Sequence, residues 1–206
     1  MLLPLPVVRR LYEAGIVLLF AVVAVRSWRT RGAGPTVREL AFGFALSQSV
    51  ELLAVQHGRY DYPDWLVYFP PHPEWVPLGV GLGWAAIVPV VMRMSERILG
   101  QAAPAAKLAA LDGAMAVGVD LVIDPAVSGE PLRMWTWRGE GMTPYRAWLL
   151  GVPVFNFVGW FLLVAACGWQ LRVVERRSQG AQRWWRLGLF LACDLIIATV
   201  VMRLPW

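Results

Sequence analysis

Asp120 and Asp124 stand four residues apart in L-D-G-A-M-A-V-G-V-D-L-V-I-D-P (111–125), a stretch otherwise apolar except for Asp112. On a helix, a four-residue step leaves two side chains only about 40° apart around the axis, so both carboxyls share one face. Glu51 lies in a second apolar run, F-A-L-S-Q-S-V-E-L-L-A-V, together with Gln48. Asn156 lies in a third, G-V-P-V-F-N-F-V-G-W, which ends at Trp160. A carboxyl group at membrane depth is costly and turns toward a bundle interior or a water-filled cavity. Its ionised form is disfavoured in an apolar pocket, so it can stay protonated at neutral pH. Two such neighbours divide the work, one as acid and one as base.

A protonated carboxyl held beside a trisubstituted alkene can deliver its proton to give a tertiary cation. Aromatic faces stabilise such a cation. Water oriented by a second carboxylate then adds to give a tertiary alcohol; without water capture, the same first step gives a cyclase or an isomerase. The catalytic candidates are Glu51, Asp120 and Asp124, with Asp120 or Glu51 as the proton donor. Gln48, Tyr60, Tyr62, Trp135, Trp137, Asn156 and Trp160 are the candidates for lining the substrate. A third reading is a lipophile carrier in which the carboxylates bind a proton or a partner and no bond changes.

Each residue also has a plainer reading. Asp124 can be a solvated helix end, Glu51 a hydrogen-bond partner of Ser47 or Gln48, and Asn156 a tie between helices. Asp112 and Asp194 read as packing partners for arginines or amides, and His57 as an interfacial residue. Gly151, Gly159, Gly168 and Gly188 mark close helix contacts. No cofactor or metal is called for. His57 and His72 are too few for a histidine-box oxidase, and Cys167 and Cys193 lie inside apolar spans as small core residues. The G-V-G-L-G at 79–83 sits inside an apolar span, where it makes no phosphate-binding loop.

These residues need elements that hold them at one depth. The chain has 206 residues, 58% of them hydrophobic and only 16% charged, against about a quarter charged in a soluble domain. Six spans fit a bilayer crossing of roughly 20 residues: 8–27, 38–57, 75–94, 106–124, 148–170 and 185–204. The expected fold is an all-α, polytopic membrane bundle of about six transmembrane helices, forming a single domain over 1–206. Pro125 is expected to end the fourth helix, and the first span reads as a retained helix. Basic residues fall between the spans, which marks topology and leaves no patch for nucleic acid. Of the 19 Lys and Arg, 12 follow spans one, three and five, so both termini and two aromatic loops are expected outside the cytoplasm. The loops run over 58–74 and 125–147. In this arrangement Glu51, Asp120, Asp124 and Asn156 converge beneath them.

In these motifs the chain resembles the small integral-membrane carotenoid biosynthesis proteins, a family that includes carotenoid 1,2-hydratases. The resemblance rests on Glu51 with Gly58 and the Y-D-Y at 60–62, V-P-L at 76–78, and D-L-V-I-D-P at 120–125. W-T-W at 135–137 and G-V-P-V-F-N-F-V-G-W at 151–160 complete it. It covers roughly residues 40–175. It implies a helical membrane bundle that adds water to the terminal double bond of an acyclic carotenoid or related terpenoid, in a bacterial or archaeal cytoplasmic membrane. The expected partners are the bilayer and a lipophilic polyene or terpenoid. The chain departs from the family pattern at the short His57-Gly58-Arg59 segment and at the insert 65–74, both in the loop that would cap the pocket.

Overall fold

A computed structural model describes residues 4–69, 75–138 and 148–203. They form six helices: α1 (Leu5–Arg31), α2 (Ala33–Gln56), α3 (Leu78–Leu99), α4 (Ala105–Ser128), α5 (Val154–Arg177) and α6 (Gln182–Arg203). Proline marks four of the starts. Pro4, Pro77, Pro104 and Pro153 stand immediately before α1, α3, α4 and α5 in extended conformation. There the fixed φ and missing N–H suit a helix entrance and stop any helix upstream. A single residue, Gly32, joins α1 to α2 at φ 83°, a conformation that a Cβ would strain.

Four two-residue strands sit between the helices: β1 (Tyr60–Asp61), β2 (Thr136–Trp137), β3 (Trp148–Leu149) and β4 (Val152–Pro153). β1 pairs antiparallel with β2, which ties the loop after α2 to the loop after α4. β3 and β4 close a hairpin through Leu150 and Gly151, both at positive φ. The expected fifth span is therefore corrected at its start: 148–153 is this hairpin, and α5 begins only after Pro153. The third span likewise begins after Pro77. Pro125 does not end α4, which runs one turn further to Ser128. A proline lacks only its own N–H bond, and the neighbouring turns can carry the helix past it at the cost of a bend. Tyr145 and His72 lie outside the described residues.

α4 lies along α5, α3 touches α1, α2 and α4, and α6 packs on α2 and α5. The core at their meeting holds Phe42, Leu46, Trp84, Val88, Met92, Ala116, Val164 and Leu171. Glycine sets two of the close approaches. A Cβ on Gly113 would fall 2.6 Å from the Phe161 carbonyl, and one on Gly81 2.3 Å from Gln48 Oε1. Gly168 also packs tightly, but Gly151, Gly159 and Gly188 face open space, which corrects their assignment to helix contacts.

α3, α5 and α6 are long and apolar enough to cross a membrane. α6 buries only Leu187 among the described residues and turns Ile196, Ile197 and Val200 outward. α1 does the same with Leu18, Val22 and Val25. Such outward apolar faces are disfavoured in water and favoured in lipid.

Candidate active site

α4 carries Asp120 and Asp124 on one face, both buried, with Asp120 fully so. Asn156 stands in the first turn of α5 and donates its amide Nδ2 to Asp120 Oδ2 at 2.8 Å and to Asp124 Oδ2 at 2.6 Å. The two carboxyls are therefore held side by side through the one amide. Asp120 Oδ1 is buried without a hydrogen-bond partner. One amide thus serves two acids, and one oxygen of Asp120 is left unpaired.

Glu51, in the last turns of α2, has a different surrounding. It accepts from the Tyr60 hydroxyl, from the Tyr62 hydroxyl at 2.7 Å and from Trp84 Nε1 at 3.0 Å. Burial first, and then the Glu51 charge, push both phenols well above their usual range, so they remain donors. Glu51 is close enough to Asp124 for their charges to interact. Its partners are thus not the Ser47 or Gln48 of the plainer reading.

A hollow of about 320 Å³ opens beside this cluster. Its walls come from α1 (Tyr12, Ile16, Leu19), α3 (Val80, Trp84, Ile87), Ile123 of α4 and the indoles of Trp65, Trp135 and Trp160. Asp124 is the one acidic residue on its wall, among the described residues. Trp84 and Trp160 stack with ring centres 3.9 Å apart and planes at 22°, a pairing worth about 0.5–1.5 kcal/mol beyond its burial. Glycines at 15, 79 and 83 leave the space unfilled. Leu19, at the rim, is exposed on the apolar outer face of α1, so the hollow opens toward that face.

The aromatic loops form the roof. Trp65 donates Nε1 to the Met134 carbonyl at 2.6 Å, and Tyr62 makes edge contacts with Trp65 and Trp135. Tyr60 meets Trp137 edge-on at 4.9 Å. Of the substrate-lining candidates, Trp135 and Trp160 are on the wall. Gln48, Tyr60, Tyr62, Trp137 and Asn156 are not. Gln48 donates instead to the carbonyls of Phe69 and Val76, holding the loop that precedes α3. Glu51 and Asp120 stand behind the wall, Glu51 beyond the Trp84 ring and Asp120 one turn from Asp124.

Sequence reasoning missed Tyr12, Trp65 and Trp84 as wall residues. The wall spacing is regular on two helices, but spacing alone does not say which faces meet. Tyr12, Ile16 and Leu19 fall on one face of α1, and Gly79 and Gly83 repeat at four residues along the facing side of α3. The expected structural roles hold for Asp112, paired with Arg172, and for Asp194, which accepts from Gln170 Nε2 at 2.8 and 2.9 Å. His57 Nδ1 lies 2.8 Å from the Leu53 carbonyl, as a helix-end residue does. No group of His, Cys, Asp and Glu suited to a metal ion occurs among the described residues.

No curated protein and no solved structure matches the chain. A family model does. The hollow with its acid and its aromatic walls sits within a match that spans residues 12–205, and the chain belongs to the carotenoid biosynthesis protein family.

Proposed function

We propose that the protein is a membrane-embedded, acid-catalysed hydratase of a terminal trisubstituted double bond in an acyclic carotenoid or related terpenoid. In this reading all six helices cross the bilayer as a single domain, with both termini on the non-cytoplasmic side. The observation that carries it is Asp124, a lone carboxyl on the wall of an apolar, tryptophan-lined hollow and joined to a second carboxyl through the Asn156 amide. The volume of about 320 Å³ is near the lower end of ligand pockets. It suits the end group of a polyene whose remaining chain lies in lipid.

Asp124 is the proton donor, a role the sequence alone gave to Asp120 or Glu51. Its proton goes to the less substituted alkene carbon, and the π bond breaks to leave a tertiary cation. The faces of Trp84, Trp135 and Trp160 stabilise that charge. A water oxygen adds to the cation and its extra proton returns to the Asp120–Asp124 pair. The net change is addition of one water, with the acid restored and no cofactor consumed. Asn156 and Asp120 fix the geometry of Asp124, and Glu51 fixes Trp84.

A cyclase or isomerase remains as the second reading, favoured by one feature. Apart from Asp124, the Tyr12 hydroxyl and indole N–H groups, the wall offers little to hold a water. The test is the mass of the product formed when purified protein is given an acyclic carotenoid. A gain of one water supports hydration, an isomeric product supports cyclisation, and unchanged bound substrate leaves a carrier. Asp124→Asn should lower turnover about 100-fold or more while the protein stays folded in detergent. Retained turnover removes Asp124 from the acid role.

A further inference from the structure

At the opposite end of the bundle from the acids, a second cavity of about 550 Å³ is lined by six arginines and three glutamates, from α1, α2, α3, α5 and the segment after α3. Its acids are already engaged. Glu39 binds Arg31, Glu96 accepts from Arg172 Nε at 3.2 Å, and Glu175 accepts from Arg38 Nε at 2.6 Å. The side chains of Arg26 and Arg97 are exposed, and their guanidinium groups have no hydrogen-bond or ion-pair partner among the described residues. Arg93 stands between them. It donates to Ser27 Oγ and to the Pro89 carbonyl and reaches Glu39 only at 3.5 Å, while its Nε is buried without a partner. Glu39 and Glu96 lie near enough to attract Arg93, while Arg31 and Arg26 lie near enough to repel it. Three guanidinium groups therefore converge with less negative charge than they require.

The same three arginines close the end of a groove of about 300 Å³ between α1 and α3. Below them the groove is apolar, with Val22 from α1 and Val90 and Met94 from α3, all exposed. The spacing makes it continuous. Val22 and Arg26 are one turn apart on α1, as are Val90, Met94 and Arg97 along α3.

We propose that this groove binds an anionic phospholipid, with its phosphate among Arg26, Arg93 and Arg97 and an acyl chain along Val22, Val90 and Met94. Charge complementarity selects the headgroup, because arginine forks match phosphate oxygens. The apolar trough beneath selects a lipid over a free ion. The site faces the side that the count of basic residues assigns to the cytoplasm, where anionic headgroups are held by basic pockets between helices. It stands independently of the alkene chemistry at the other end of α3 and requires only that the bundle sit in a bilayer.

Native mass spectrometry of the full chain in detergent tests it, with phosphatidylglycerol, phosphatidylcholine, glycerol 3-phosphate and inorganic phosphate as probes. Phosphatidylglycerol should bind more tightly than phosphatidylcholine, and the two small phosphates should bind far more weakly than either lipid. Arg26→Gln with Arg97→Gln should weaken phosphatidylglycerol about 30-fold, the equivalent of roughly 1 kcal/mol for each arginine. Arg177→Gln, outside the cavity, should change nothing. Equal affinity for the two lipids overturns the proposal, as does an unaffected double variant. Small phosphates binding as tightly as the lipid also overturn it, because the occupant is then a free anion. Both arginines are exposed and unpartnered, so the double variant should fold; the lipid preference of the unaltered protein remains a test if it does not.

Discussion

Asn156 has two amide hydrogens, and the site uses both on carboxyl oxygens that lie four residues apart on the neighbouring helix. That fixes Asp124 in a direction where one of its oxygens can meet a ligand in the hollow. Asn156 itself does not line the hollow, so its effect on chemistry passes through the acids. Asn156→Leu should therefore lower kcat, by about 10-fold or more given the weight of a positioned proton donor, and leave KM nearly unchanged because Trp135 and Trp160 remain in place. A rise in KM with kcat intact would place Asn156 in substrate binding instead. Glu51 is a comparable case. Three donors from two elements end on its carboxylate, and one of them is the indole that forms half of the stacked tryptophan wall. A buried acceptor so fully used is suited to holding Trp84 and the β1 loop in position, since each bond lost there would leave a buried donor unsatisfied.

At the scale of elements, the hollow is made by what α1 and α3 lack. Gly15 has nothing within 4 Å of where a Cβ would stand, and Gly83 meets only Ile16 at 3.7 Å. Gly15→Phe should be accepted by the fold, since the position is open and glycine is the poorer helix former, while its ring fills the rim. The expected outcome is loss of turnover on a full-length polyene with an unchanged circular dichroism spectrum; full activity would show that substrate enters elsewhere. This wall was the least legible part of the site. Apolar runs and proline punctuation mark helices well, because hydrophobicity and φ restriction are local properties. The acids were legible because a charge in an apolar run is conspicuous. Tyr12, Trp84 and the glycines were not, because aromatic and small residues in such runs are ordinary core or belt residues until packing shows which face meets which. The same holds for β1 and β2, whose pairing joins residues far apart in sequence. Pro125 misled for a related reason, since whether proline ends or bends a helix is decided by what packs around it.

Across the whole molecule, α4 separates two chemistries. Asp112 and Asp124 are 12 positions apart in the sequence, which is about 18 Å along a helix. At the Asp124 end, Arg9 and Arg10, basic residues that precede the first span, bind local partners. Arg9 donates to the Leu132 carbonyl at 2.8 Å and pairs with Asp64 at 2.7 Å, and Arg10 pairs with Glu13. Arg9 holds α1 to the aromatic roof, and Arg10, also 3.4 Å from the Asp64 carbonyl, adds to it, which gives them a role apart from topology.

At the other end, Asp112 is wholly buried and pairs with Arg172, which also donates to Ser95 Oγ at 3.0 Å and the Met92 carbonyl at 3.1 Å. Gly168 makes room for the pair, since a Cβ there would fall 2.3 Å from Asp112 Oδ2. This ties α3, α4 and α5 through charges taken out of solvent. A buried pair contributes little net stability when intact, because desolvation offsets its attraction, yet breaking it strands a charge at a cost of about 3–5 kcal/mol. Asp112→Asn should therefore lower stability by about 3 kcal/mol, the lower figure because Glu96 still faces Arg172. Adding Arg172→Met to it should recover most of that loss. Denaturation in mixed micelles, read with the activity assay, separates this from the acid site. The double variant should turn over substrate normally, whereas Asp124→Asn should be stable and inactive. If instead the double variant were as unstable as Asp112→Asn, the pair would owe its place to net stabilisation, and the helices would need it to meet at all.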